Sequence, residues 1–590
     1  MATDDFQALI RQAESLFGSG NLEAAREILA GMQRRFGDNV ACLHLLALVE
    51  KKRGDVAAAR KAFERALSVS PGDPQIANNY ANLLSAAGER DLALKVYARV
   101  LDSAPQFHAA RYNRALLLQT LGRHDVALAD LERVSLAQPG EAKVHAAKGT
   151  SLRALRRLAE AAAAYDRAIA VDAGRVVAVH GRAVVAKERG EADASQLYRR
   201  ALAIAPRDRT IGLGLAEALE AEGRADGVEV LAAMLKADPG WWEGHAALAR
   251  MRWEAGEQAD FASAIAQAAD EAPTSLDGWR TYASVLAAAG LSLAAADVAA
   301  AGRAKAGEDH LLSLLEALHA SEAGELARAE RIYDGLPKDL AGRAIHESRH
   351  RLRAGDYRAA AALIDRARAD APWDIGAWAM TGVAWRLIGD ERADWLLAQP
   401  GFVVTDDLGL PADALARLRD RLRGLHRSRV HPIGQSLRGG TQTRGRLFER
   451  EEPEILDLKH LLIRAVERYW AALPPVDATH PLLRHRHAVP ALAGSWSVRL
   501  TDDGYHVAHM HPDGLLSSAC YIVVPEPDLP KAGWLEIGGA PDNLDLPIRP
   551  LLQVEPRPGR ITLFPSYCYH GTRPFPKGER LSVAFDVVAR

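Results

Sequence analysis

The chain has 590 residues, 48% hydrophobic and 25% charged, the proportions of a folded chain rather than a disordered one. Lys plus Arg number 74 and Asp plus Glu 76, a net charge of −2, so no bulk charge draws the chain to nucleic acid or to an anionic membrane. No apolar run approaches the roughly 20 residues of a membrane span, and MATDDFQALIRQ is not a secretory leader. The three cysteines, Cys42, Cys520 and Cys568, fit neither a disulfide framework nor a Cys-based zinc motif. Neither nucleic acid nor membrane is therefore expected as a partner, and a cytoplasmic location is expected.

Composition shifts along the chain. Ten of the 20 histidines follow residue 420 and nineteen of the 29 prolines follow residue 400, whereas alanine crowds the first 390 residues. Alanine is the best helix former and proline the worst. A long helical part is therefore predicted, followed by a Pro-rich, strand-bearing part, with the crossover near Gln399-Pro400-Gly401.

The helical part repeats. Glycines recur at Gly20, Gly54, Gly88, Gly122, Gly190, Gly223, Gly256, Gly290, Gly324, Gly355 and Gly389, mostly 34 residues apart, with Arg156 standing in the one vacant slot. Prolines run in parallel about 17 residues later, at Pro71, Pro105, Pro139, Pro206, Pro239 and Pro273. Between them lie helical triplets such as Ala59, Phe63, Ala66 and Ala93, Tyr97, Val100. Glycine relaxes the turn between two antiparallel helices, the small residue lets them approach, the aromatic fills the gap, and proline ends the second helix. These residues resemble the tetratricopeptide repeat. The resemblance implies an all-α superhelix of about twelve helix pairs over residues 1–395, with a concave face that takes a protein or peptide. Asn79 and Asn113 occupy equivalent slots and could clamp a peptide backbone. Scaffolding of the following domain is the competing role. Trp373, Trp378, Trp385 and Trp395 are expected to pack the last repeat against that domain.

A connector is expected over 396–430 and a separate domain over 431–590. Residues 405–475 read as helical buttresses (ADALARLRDRLRGL and EILDLKHLLIRAVERYWAAL). From about residue 490 the period becomes two, as in Trp496, Val498, Leu500 and in Leu581, Val583, Phe585, Val587. Strands are also predicted in ACYIVV, GWLEI and ITLF, separated by Gly and Pro turn signals. The fold class is thus α plus β and multidomain: an all-α repeat array, then a double-stranded β-helix, or jelly roll, with buttressing helices.

The chemistry lies in GYHVAHMHPDG, residues 504–514. Residues two apart on a strand share a face, so His509 and His511 would project together as candidate metal ligands. A second segment, PGRITLFPSYCYHGTRPF, carries His570, and Arg580 follows ten residues later with Ser582 on the same face. HMHPDGLLSSACYIVV and GRITLFPSYCYH resemble the 2-oxoglutarate and Fe(II)-dependent oxygenase superfamily. By that resemblance His509 and His570 bind Fe(II). Arg580 pairs with the distal carboxylate of 2-oxoglutarate, Ser582 hydrogen-bonds it, and Tyr521 and Trp496 line the cosubstrate pocket. The reaction implied consumes 2-oxoglutarate and O2, releases succinate and hydroxylates a substrate. The repeats suggest that the substrate is a protein or peptide.

The third ligand is open. Either His511-x-Asp513 supplies a His-x-carboxylate pair, with His509 outside it, or His509-x-His511 fills both slots and no carboxylate binds. The turn signature Pro512-Asp513-Gly514 favours the second. Two other functions compete: a repeat-based interaction scaffold whose jelly roll is inactive, and a three-histidine metal enzyme that does not use 2-oxoglutarate. Arg580 argues against the latter. A glycosyltransferase would need a nucleotide-binding α/β segment, which the sequence does not display.

Overall fold

The computed structural model describes residues 2–428, 430–526 and 529–590, with side chains from residue 5 onward. Two compact units divide the chain, Met1–Val185 and Ala186–Arg590. Among the described residues twenty-four helices precede the first strand, from Ala2–Gly18 to Arg392–Leu397. A strand-rich antiparallel domain follows, in the order expected.

In the first unit the 34-residue register is visible as local geometry. Asn39, Asp55 and Asp73 cap helix N-termini through their side-chain oxygens. The glycine slots adopt the left-handed conformation, with φ of 86° at Gly54 and 84° at Gly88. Arg156, in the slot without a glycine, is forced into the same conformation, φ 61°. The Arg157 amide then bonds the Leu152 carbonyl at 2.9 Å, as the Asp55 amide bonds Glu50 at 3.0 Å. Ala59 and Phe63 are fully buried. Tyr165 lies so close to two glycines that a Cβ at Gly149 or Gly181 would come within 2.8 or 2.4 Å of its ring.

The second unit continues the helices and ends in the sheet. Its strands are β1 (Val404–Asp407), β2 (Leu437–Gln442), β3 (Pro490–His509), β4 (Leu516–Val523), β5 (Leu535–Ile537), β6 (Leu552–Val554), β7 (Arg560–Pro565), β8 (His570–Thr572) and β9 (Glu579–Ala589). Their order is β1-β7-β4-β9-β3-β8-β5-β6, with β2 paired to β3. All pairings are antiparallel. The helices Ala412–Arg423 and Pro453–Ala472 place Leu418, Leu422, Leu458 and Leu462 in the same apolar core as β4, β7 and β9.

Two strands, β1 and β2, fall on the stretch 405–475 that the sequence reads as helical. β1 is only four residues long, too short to display a period. β2 reads LRGGTQ, and its glycines erase the alternation of side chains. They are needed there: a Cβ at Gly440 would lie 2.3 Å from the Arg499 carbonyl of β3. The pairing register also shifts between Arg438 and Gly440, the mark of a bulge.

The last repeats and the sheet domain are tied within this unit. Trp378, Trp385 and Trp395 pack mutually at 6.0–6.4 Å between ring centroids. The Trp395 indole donates to Asp477 at 2.9 Å, and its ring meets His480 at 4.8 Å. Arg444, which follows β2, pairs with Glu220 (2.9 Å) and Glu254 of the repeats. Arg353 donates to the Asn543 carbonyl at 3.1 Å, and Arg386 to those of Gly538 and Arg549.

Candidate metal centre

His509 is the last residue of β3 and His570 the first of β8, and they are partners in the ladder. His511 lies two residues past the end of β3, so it reaches the site from the turn and not from the strand. The three rings converge all the same, with centroids 4.2 Å (His509–His570), 5.2 Å (His509–His511) and 5.0 Å (His511–His570) apart. One candidate ligand atom from each lies within 4.8 Å of the others, and among the described residues these form the one such histidine, cysteine or carboxylate group.

Hydrogen bonds set the tautomers. His509 Nδ1 faces the Val507 carbonyl at 2.9 Å, and His570 Nδ1 the Cys568 carbonyl at 3.1 Å. His511 Nδ1 faces Asp586 Oδ1 at 2.5 Å. Carbonyl and carboxylate oxygens only accept, so each Nδ1 carries the proton and donates it. Each Nε2 keeps a lone pair for a metal, the arrangement by which outer partners orient histidine ligands. Burial holds His509 down at about 3 and His570 well below its ordinary value, with the neighbouring histidines adding repulsion. The imidazoles of His509 and His570 are thus neutral at physiological pH, the form a metal requires.

The cavity in front of these rings has a volume of about 630 Å³. The alternate residues of β9 line it: Arg580, Ser582, Ala584 and Asp586. Their neighbours Leu581, Val583, Phe585 and Val587 are fully buried in the core. Arg580 is 2% exposed and has no acidic partner among the described residues. Its Nη1 donates to Ser582 Oγ at 3.4 Å, its Nε has no hydrogen-bond partner, and its guanidinium lies 5.1 Å from the Tyr521 ring centroid. The Tyr521 side chain is fully buried beside it. Burial lowers the Arg580 guanidinium from its ordinary value. A buried, unpaired cation is costly, so a carboxylate ligand fits here. Trp496 lines the cavity, its ring 5.4 Å from His511.

Among the expected residues, then, His509, His511, His570, Arg580, Ser582 and Trp496 face one cavity, and Tyr521 underlies Arg580. Asp513 lies in the exposed turn after β3 and outside the histidine cluster, although it borders the cavity. Three residues went unread in the sequence. Asp586 holds His511. Ser517 touches both His511 Nδ1 (3.1 Å) and Ser566 Oγ (2.9 Å). His506 stacks on His509 at 5.4 Å and meets Ser436 Oγ at 3.0 Å. Asp586 had a signal: it shares the strand phase of Arg580 and Ser582 in ERLSVAFDVV.

Residues 494–586, which include every ring and carboxylate just described but not Ser436, match a family model described as "Putative 2OG-Fe(II) oxygenase". Residues 51–117 and 112–176 match two tetratricopeptide repeat models. The chain thus matches tetratricopeptide repeat models near its N-terminus and, over a C-terminal segment, the model of that described oxygenase family. Solved structures similar to it are tetratricopeptide repeat proteins. One is MamA from residue 41 onward, from Desulfovibrio magneticus RS-1 (18% identity, 29% of this chain and 98% of that one, TM-score 0.28). Another is the C-terminal part of a repeat-containing protein from Cytophaga hutchinsonii (16%, 40% and 99%, TM-score 0.34). A third is YrrB, described as a repeat protein with an unusual peptide-binding site (20%, 31% and 96%, TM-score 0.28). A search of curated proteins finds no match. No described helix is long and apolar enough to cross a membrane.

Proposed function

We propose that this protein is an Fe(II)- and 2-oxoglutarate-dependent oxygenase that hydroxylates a protein or peptide brought to it by its repeats. The observation that carries the reading is the pairing of two features in one cavity. Three imidazoles turn their free Nε2 atoms toward a common point, and a buried arginine beside them lacks an acidic partner. A cytoplasmic location goes with this reading.

Each residue then has a task. His509, His511 and His570 hold the metal through Nε2. Arg580 and Ser582 take the distal carboxylate of 2-oxoglutarate, the guanidinium presenting two parallel donors to its two oxygens. Tyr521 underlies the guanidinium. Asp586 keeps the proton of His511 on Nδ1. When bound, Fe(II), 2-oxoglutarate and O2 supply a decarboxylation-coupled oxidation. The protein's part is to position the substrate and keep water out. Asp513 is left to the turn, where it can be replaced without loss of metal.

Anaerobic addition of Fe(II) and 2-oxoglutarate to the full-length chain tests the reading. A weak visible charge-transfer band is expected, followed by succinate on admission of air. If metal binds without the band and no succinate forms, the site is a three-histidine metal centre of another kind. If no metal binds, the domain serves as a scaffold.

A further inference from the structure

The cavity holds a second arginine that the cosubstrate does not use. Arg438 of β2 lines it together with the three histidines and Arg580. Like Arg580, it has no acidic partner among the described residues. Other arginines of the domain do: Arg499 and Arg423 pair with Glu579, Arg450 with Glu452, and Arg560 with Asp407. Arg438 instead donates from Nη1 to the carbonyls of Gln435 (2.7 Å) and Leu437 (2.9 Å). Both bonds engage Nη1 alone, and Nε and Nη2 make no hydrogen bond among the described residues.

The segment just before β2, which carries Gln435, is tied to the helical repeats. The Gly434 amide donates to the Ala288 carbonyl at 3.0 Å, and the Trp253 indole donates to the His431 carbonyl at 3.1 Å. Ala287, Ala288 and Gly290 complete that wall, and their small size leaves the space before Arg438 open. Gln442, on the same strand, also lines the cavity, and its amide makes no hydrogen bond among the described residues. A volume of about 630 Å³ exceeds what a five-carbon diacid fills, so room remains for a substrate group beside the cosubstrate.

We propose that Arg438 is a specificity-determining residue that receives a carboxylate of the substrate, so that the oxygenase acts on an acidic group. This rests on the oxygenase reading above. Charge selects carboxylate over phosphate. With Asp586 engaged by His511 and Asp513 on the same rim, Arg438 offers one guanidinium fork, matched to a monoanion. Gln442 supplies an amide for a neighbouring carbonyl. The carboxylate can belong to an aspartyl or glutamyl side chain of a peptide or to a free small acid.

The test uses the full chain with Mn(II), a redox-inert substitute, and saturating 2-oxoglutarate. N-acetyl aspartate and glutamate methylamides, their asparagine and glutamine counterparts, and free malate are titrated in by calorimetry. At least one acid is expected to bind tenfold or more tightly than the amides. Arg438→Gln should abolish that preference, and Arg438→Lys should restore part of it. Preference for the blocked amino acids marks a peptide as the source, and preference for malate a free acid. Equal binding of acids and amides, absence of binding by all of them, or a preference that survives Arg438→Gln would overturn the proposal. The anaerobic Fe(II) band of the unmodified chain reports separately on the oxygenase reading, since Mn(II) binding and acid discrimination do not depend on it.

Discussion

His511 Nδ1 and Asp586 Oδ1 lie 2.5 Å apart, although 75 residues separate them in the chain. This places a carboxylate one imidazole away from the point where the three Nε2 atoms converge. In the commoner facial triad a carboxylate binds the metal directly. Here the negative charge stands behind a histidine, where it orients the ring. Ser517 braces the pair, 3.1 Å from the ring and 3.4 Å from the carboxylate.

Asp586→Asn should therefore weaken metal binding without abolishing it. The asparagine amide can turn its NH2 toward His511 and push the proton to Nε2, which removes one ligand from the favoured tautomer. Loss of such an outer partner costs about 10–100-fold in affinity. Competition against a chelator measures it. Ser517→Ala should cost far less, because the charged partner remains. Equal affinity in Asp586→Asn and the unmodified chain would remove Asp586 from the site.

Metal and cosubstrate binding should separate by mutation. His570→Ala removes a ligand and should abolish tight metal binding. Arg580→Gln leaves all three imidazoles in place and should retain the metal. Its 2-oxoglutarate affinity should fall by at least about 30-fold, the lower end of the roughly 2–5 kcal/mol lost when one partner of a buried charged pair is truncated. Calorimetry with Mn(II) and 2-oxoglutarate reads both quantities in one preparation. A variant that loses metal and cosubstrate together would show that Arg580 supports the fold instead.

Most residues of the candidate site were legible in the sequence because they sit in short segments with clear periodicity. His509 ends β3 with His511 just past it, and His570 follows ITLF, whose residues are buried in β7. The repeats were legible for a similar reason, since glycine turns and Ala–aromatic pairs recur at a fixed step. What escaped depends on pairing across the sheet. Asp586 acquires meaning only when β9 brings it to His511, and Arg438 only when the bulge in β2 turns it toward the cavity. The glycines of LRGG that make the bulge possible are the same residues that hide the strand. Asp513 was the opposite case: a carboxylate at motif spacing that the turn leaves exposed.

Arg156 offers a test of the repeat register in the first unit. It adopts φ 61° where the other repeats have glycine. A left-handed conformation costs an L-residue about 1–2 kcal/mol, while glycine's extra chain entropy returns roughly 0.5–1 kcal/mol. Arg156→Gly should be more stable than Arg156→Ala by up to about 1.5 kcal/mol on these figures. Both variants lack the arginine's own contacts, so the comparison isolates the backbone. Urea denaturation of the two proteins gives the difference, and a more stable alanine variant would contradict the left-handed turn.

Acid should loosen the contact between the last repeats and the sheet domain through His480. Its ring is fully buried against Trp395, Phe402 and Tyr567. Its Nδ1 accepts the amides of Leu482 and Leu483, each at 3.1 Å, so the folded ring is neutral there. Burial lowers its pKa from 6.5 to about 4. The unfolded chain thus takes up a proton near pH 6.5, and the folded chain resists until about pH 4. Stability from this group is complete above pH 6.5 and is lost as pH falls toward 4, by up to about 3 kcal/mol. His480→Asn keeps an acceptor for the two amides and cannot titrate. Its stability in urea, followed by tryptophan fluorescence, should fall less between pH 6.5 and 4 than that of the unmodified chain. Parallel acid profiles for the two proteins would mean that His480 is not what couples protonation to unfolding.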